Sequence, residues 1–352
     1  MKPRTFVALA AATLLAVVAA AVAVNQHRGF VTPIAAGEPV FPGLIDRVND
    51  VASMVVEFGR GKVTLERGKS GWTVKESDDY PARAVKVRQV ILGIAELKLL
   101  EPKTAKKENL AKLDLQEPDA KDARSKRVKL FDGAGKPMAD IIVGRRRQAL
   151  PGTTLGGIYL RRPGETQAWL AQGGPEVSDE RRDWLERTII DIDGKRVKRV
   201  VIRHPDGETV TISKAAPEAE NFTLENVPAG KDPIGPAGIN YVGGALHFLE
   251  LDDVGKAKTP FDAASTVTAD FTTFDGLTVQ ALVTERNGKK WVRLDVSPVA
   301  GAPERKDGPP AAEEAKKIAE RINGWVYRIS DYAASNLTKR MQNLVEDKKA
   351  KS

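Results

Sequence analysis

The residues in this chain best suited to chemistry are arginines. Arg145-Arg146-Arg147 is the densest charge cluster, and Arg161-Arg162 falls on the strand expected to pair with it across one hairpin. Five guanidinium groups around one hairpin can hold a phosphate, a lipid headgroup or an acidic partner through bidentate hydrogen bonds. The plain alternative is a solvated basic edge that deters sheet-to-sheet aggregation.

Other residue types offer less. His27 lies beside an apolar segment, His204 at a strand-to-turn junction and His247 inside an apolar helical stripe, with no HExxH and no paired histidines at ligand spacing. A G-x-S-x-G elbow for serine hydrolysis is missing. Asp191-Ile192-Asp193-Gly194 opens like a calcium loop, but Lys195 takes the next ligand position and Ile202 the twelfth, so a turn joining two domains is the better reading. Gly144, Gly152, Gly156 and Gly157 lack the Lys-Ser/Thr pair of a phosphate loop and read as a hairpin loop. Trp72, Trp169, Trp184, Trp291 and Trp325 sit in apolar patterns and are expected to pack cores. No catalytic residue, cofactor or metal is therefore expected.

What positions these residues follows from length and patterning. With 352 residues, 41% of them hydrophobic and 29% charged, the chain is neither mostly disordered nor a multi-span membrane protein, and it has length for about two domains. The lack of cysteine excludes thiol catalysis, disulfides and thiolate metal sites. A net charge of +8 is spread along the chain, and with 6% aromatics and no RNA-binding aromatic motif nucleic acid is not an expected partner.

Lys2 and Arg4 precede an apolar stretch from Phe6 to Val24. Its length suits a single transmembrane anchor with the bulk of the chain outside the cytoplasm, while Ala21-Val22-Ala23 would also suit a cleaved signal peptide. Residues 1–24 are read as the anchor, giving an inner-membrane, single-pass placement, and residues 25–45, rich in Pro and Gly, as a linker.

The remainder matches itself. Met54 to Phe58 and Lys62 to Glu66 parallel Val200 to His204 and Glu208 to Ile212, each pair flanking a tight turn; Gly71 to Lys75 parallels Asn221 to Glu225. A helical pattern follows in each copy, through Val87, Ile91 and Ile94 to a stop at Glu101-Pro102, and through Ile239, Val242, Leu246 and Leu249 after Pro236. Strands at Val128 to Phe131, Ile141 to Val143 and Ile158 to Arg161 then parallel Val267 to Phe271, Val279 to Val283 and Trp291 to Val296. Helical ends are expected from Ser178 through Ile189 and near Ala311 to Asn323 and Ala333 to Glu346. The fold expected is α+β: two tandem copies, 46–195 and 196–352, of antiparallel meander strands with covering helices, after one N-terminal transmembrane helix. Val55, Leu65, Trp72, Ile91, Ile141, Val201, Ile212, Leu246, Val283 and Leu294 are the expected core.

Gly71-Trp72-Thr73-Val74, Tyr80-Pro81-Ala82, Glu101-Pro102-Lys103-Thr104, Glu108-Asn109-Leu110-Ala111-Lys112-Leu113-Asp114-Leu115 and Tyr159-Leu160-Arg161-Arg162 together resemble the family described only as domain of unknown function 4340. The resemblance is good over 46–195 and loose over 196–340, where the Glu-Asn-Leu-Ala element is absent. It implies a single-span bacterial envelope protein similar to auxiliary subunits of gliding-type ATP-binding-cassette systems, and it carries no catalytic residues. The function expected is thus a non-catalytic, membrane-anchored binding or assembly component with a protein partner. The alternatives are an envelope hydrolase working through carboxylate pairs, or a soluble periplasmic ligand-binding protein.

Overall fold

The computed structural model describes residues 37–59, 61–150, 156–301 and 308–348. Two compact units divide them: residues 1–72 with 84–179, and residues 73–83 with 180–352.

In the first unit the chain forms β1 (Glu38–Pro39), β2 (Val51–Phe58), β3 (Gly61–Gly68), β4 (Gly71–Val74, within which it passes to the second unit), α1 (Ala84–Ala95), β6 (Lys98–Thr104), β7 (Lys126–Asp132), β8 (Pro137–Arg147), β9 (Gly157–Arg161) and β10 (Ala168–Gln172). β5 (Tyr80–Pro81) belongs to the second unit. There the chain continues with β11 (Thr188–Ile190), β12 (Val197–Arg203), β13 (Thr209–Ser213), β14 (Thr223–Leu224), β15 (Lys231–Pro233), α2 (Pro236–Gly243), β16 (Leu249–Glu250), β17 (Asp253–Lys256), β18 (Val267–Thr273), β19 (Leu277–Arg286), β20 (Lys289–Pro298), α3 (Ala311–Ile322), β21 (Trp325–Arg328), α4 (Asp331–Leu337) and β22 (Val345–Asp347).

The two main sheets share one strand order. Between its end strands β5 and β1 the first runs β4-β3-β2-β7-β8-β9-β10-β6, and the second runs β14-β13-β12-β18-β19-β20-β21-β17. One edge agrees as well, since β1 pairs with the start of β6 and β11 pairs with β16, which leads into β17, whereas at the other edge β4 also pairs with β5 and β14 ends its sheet. Rows of side chains cross each sheet on its buried face, Val63–Val56–Val128–Ile141 in one and Val210–Ile202–Ala269–Ala281 in the other. Cross-strand pairs of β-branched and aliphatic residues stabilise such sheets, and the alternation of side chains leaves the other parity outside.

That parity corrects part of the expected core. Leu65, Ile91, Ile141, Ile212, Leu246, Val283 and Leu294 are buried, but Val55, Trp72 and Val201 are only half-buried. Val55 faces Thr64 and Val201 faces Thr211, while the neighbours Val56 and Val200 take the core positions. In a pair of adjacent valines only one can point inward.

The expected α+β class is also corrected: the described residues are predominantly antiparallel strand, with four short helices. α1 ends at Ala95, and the stretch over which it was expected to run on to a stop at Glu101-Pro102 already belongs to β6 (Lys98–Thr104), where Pro102 sits at a register shift against β10. The run from Ser178 to Ile189 is a 3-10 turn (Arg181–Trp184) followed by β11, and Ala333 to Glu346 holds only the end of α4, a further turn and most of β22. α2 stops at Gly243, where a Cβ would meet the Phe222 ring at 2.1 Å. Val40 and Leu44, assigned to a linker, are buried in the first unit.

Phe6 to Val24 lies outside the described residues. Among the described residues no helix is long and apolar enough to cross a membrane, so the transmembrane helix and the single-pass inner-membrane placement are not retained.

Candidate functional site

The structure separates the five arginines by what each one touches. Arg161 is 2% exposed, and its guanidinium donates to the Leu115 carbonyl (2.6 Å), to the Glu165 and Arg162 carbonyls (3.2 and 3.3 Å) and to Glu117 Oε1 (2.7 Å). It is a structural peg for the turn that follows β6. Arg162 donates to the Val40 carbonyl and lies over the Phe41 ring, holding down the N-terminal strand. Arg145 pairs with Asp114 at 3.3 Å. Arg146 and Arg147 are exposed and make no ion pair with a described residue. The five therefore do not form one cationic face, because Arg161 points inward.

The glycines of that hairpin serve packing. A Cβ at Gly144 would stand 2.3 Å from the Leu113 carbonyl oxygen, and one at Gly157 would stand 2.9 Å from that of Ala171.

A second candidate lies in the second unit, where the two copies of the shared strand order differ. Two residues link α1 to β6, whereas five, Gly244 to Phe248, link α2 to β16; α4 has no counterpart after β10. These extra pieces surround a cavity of about 460 Å³ whose rim carries Tyr241, Phe248, Tyr332 and His247. Tyr332 is 66%, Phe248 62% and Tyr241 56% exposed. Half of the exposed large hydrophobic side chains among the described residues thus gather at one opening, and such clustering marks interaction surfaces.

Asp191 holds this rim in place. One oxygen, Oδ1, accepts the Phe248 backbone N–H at 3.0 Å and lies 2.9 Å from His247 Nδ1. Phe248 sits at φ +47°, a left-handed conformation that costs a bulky side chain about 1 kcal/mol or more. Its exposed ring recovers little of that cost by burial. The Asp191 bond to its N–H holds this conformation, with the His247 ring beside it, and the Phe248 ring faces solvent.

The family model described as domain of unknown function (DUF4340) matches residues 72–291, more than half of the chain. The chain belongs to this family. The DUF4340 match runs from β4 into β20 and includes Tyr241, His247 and Phe248, but ends before α4 and Tyr332. Comparison with the curated proteins and with the solved structures returns no match.

Elsewhere the polar candidates have local uses. Asp193 caps its own turn by accepting the Lys195 N–H at 2.8 Å, and among the described residues no group of three or more His, Asp or Glu is placed to hold a metal. His204 is buried, with Nε2 3.2 Å from the Lys339 carbonyl oxygen, and His27 lies outside the described residues. His247, placed by its spacing in a helical stripe, is instead exposed in the turn after α2. Trp184 and Trp325 are buried, whereas Trp72, Trp169 and Trp291 are half-buried.

Sequence reasoning missed Tyr241, Phe248 and Tyr332. The first two were hidden inside an apolar spacing that read as one helix. The signal available was Gly243-Gly244, a pair that ends helices.

Proposed function

We propose that this chain is a non-catalytic binding and assembly component, an accessory to a larger transporter-like complex, and that it meets its protein partner at the aromatic cavity of the second unit. The observation that carries the reading is the convergence of Tyr241, Phe248 and Tyr332 on one opening, built by elements that the shared sheet does not require. Exposed tyrosine and phenylalanine at the centre of a concave patch supply the anchors of protein interfaces. Arg146 and Arg147, exposed and without an ion pair among the described residues, offer a separate contact to an anionic surface of a partner.

Photo-crosslinking in cells tests this. A benzophenone side chain at position 332 is expected to yield one discrete adduct, identified by mass spectrometry and lost in Phe248→Asp. The same probe at the exposed Val85 of the first unit should not yield that adduct. An adduct of equal yield from position 85, or none from 332, would overturn the reading.

A further inference from the structure

The proposed binding role leaves open the chemistry that the cavity accepts, and three features of its lining bear on it. The first is the angle between its rings. Tyr241 and Tyr332 stand at 76° with centroids 6.4 Å apart, and His247 and Phe248 at 51° with centroids 4.5 Å apart. A sugar stacks on a flat platform. Rings set at steep angles instead form walls, and their negative faces attract a cation placed between them.

The second feature is charge. Arg187 and Glu250 neutralise each other across the lining at 2.5 Å, and Arg182 reaches Asp252 at 3.5 Å. Asp191, under the rim, accepts the Phe248 N–H and among the described residues faces His247 rather than a lysine or arginine, and Asp331, between the lining residues Ser330 and Tyr332, makes no ion pair with a described residue. Asp191 and Asp331 border the lining, and within it Arg187 is set against Glu250 and Asp252, so among the described residues the site and its border carry more carboxylates than lysines or arginines.

The third is Asn336, a lining residue only 7% exposed. It lies one turn after Tyr332 and so on the same face of α4, and its carboxamide makes no hydrogen bond with a described residue. With so little of the residue exposed, this amide meets water or a ligand only through the cavity it lines. Its donor and acceptor match one peptide group.

We propose that this cavity takes a lysine or arginine side chain presented on a peptide segment of the partner, with the cation between the Tyr241, Tyr332 and Phe248 rings and the neighbouring backbone bonded to Asn336. This rests on the binding reading above and names what that site recognises.

The test uses the full chain labelled with 3-fluorotyrosine and followed by fluorine NMR at low salt. The probes are N-acetyl-arginine methylamide, N-acetyl-lysine methylamide, the neutral N-acetyl-glutamine methylamide, and methyl β-glucopyranoside. The two cationic probes are expected to shift the Tyr241 and Tyr332 resonances saturably, with affinities about tenfold above the glutamine probe. Asp331→Asn should weaken them about threefold, since an exposed carboxylate contributes modestly, and Asn336→Ala should weaken all three amide probes together. Equal response to the glutamine probe, response to the glucoside alone, or no response of either tyrosine would overturn the proposal. A crosslink from position 332 that survives such a result would leave the partner-binding reading standing, so the two fail separately.

Discussion

Arg161 and Arg146 belong to one candidate cluster by sequence and to opposite roles by environment. The Arg161 guanidinium closes four hydrogen bonds in a buried setting, so removing it strands two carbonyls of neighbouring segments and the Leu115 carbonyl besides. Arg161→Ser is expected to lower the stability of the first unit by about 3 kcal/mol, the range for breaking a buried charged network. The double variant Arg146→Ser and Arg147→Ser should stay within about 0.5 kcal/mol of the parent, because exposed charges contribute little to folding. Urea denaturation of both variants checks the contrast, and equal losses would refute it. If Arg146 and Arg147 meet an anionic partner surface, co-purification of that partner should weaken in the double variant most clearly at low salt.

Among the elements, α3 is the largest addition of the second copy, and one arginine secures it. Arg196, just before β12, donates through Nε to Asp275 in the β18–β19 turn at 2.8 Å and through both Nη atoms to Glu314 of α3 at 2.8 and 2.7 Å. All three side chains are less than a fifth exposed. Burial pushes the Asp275 carboxyl upward, but the Thr273 hydroxyl and the Arg196 guanidinium outweigh it and hold the group below the usual aspartate range. A carboxylate depressed in the folded state contributes stability above its unfolded value and loses that contribution as pH falls through the folded value. Stability of the second unit should therefore drop as pH falls below about 4, and Asp275→Asn should be less stable at neutral pH while showing a shallower acid limb. Arg196→Ala should cost about 3 kcal/mol at pH 7, since it removes the guanidinium that bonds two largely buried carboxylates. Denaturant midpoints measured across pH decide both points.

At the scale of the molecule, the compact units do not follow the linear order of the two copies. Residues 73–83 belong to the second unit, and Tyr80 fixes them there, buried edge-on against Trp325 at 4.9 Å and near Tyr327 at 6.2 Å. Ala82 bridges Leu185, and the Arg83 N–H donates to the Trp184 carbonyl at 2.8 Å. Burial pushes the Tyr80 phenol up to about 12, consistent with a ring kept from water. Tyr80→Ala should cost about 3 to 4 kcal/mol, as for other buried aromatic truncations. Hydrogen exchange should show lost protection in β21 with β8 little changed. Protection retained in β21, or lost equally in β8, would contradict this assignment.

The sequence by itself determined what depends on neighbours along the chain. The hairpins β2–β3 and β12–β13, the turns that close them and the parallel between Val128 to Phe131 and Val267 to Phe271 are all short-range patterns, and they were legible along with the family. The strands β6, β10, β17 and β21 were not, because their partners are distant and their own residues alternate weakly. The face taken by Val55 against Val56 was settled by pairing across the hairpin, since either parity suits an isolated strand. The inward turn of Arg161 depended on carbonyls at Leu115 and Glu165 that no spacing places beside it. Likewise Tyr241, Phe248 and Tyr332 are separated in sequence and become one rim only once α2, the turn after it and α4 are packed in the second unit. Tertiary structure decided these points because burial and hydrogen bonding act between segments that chain order alone does not bring together.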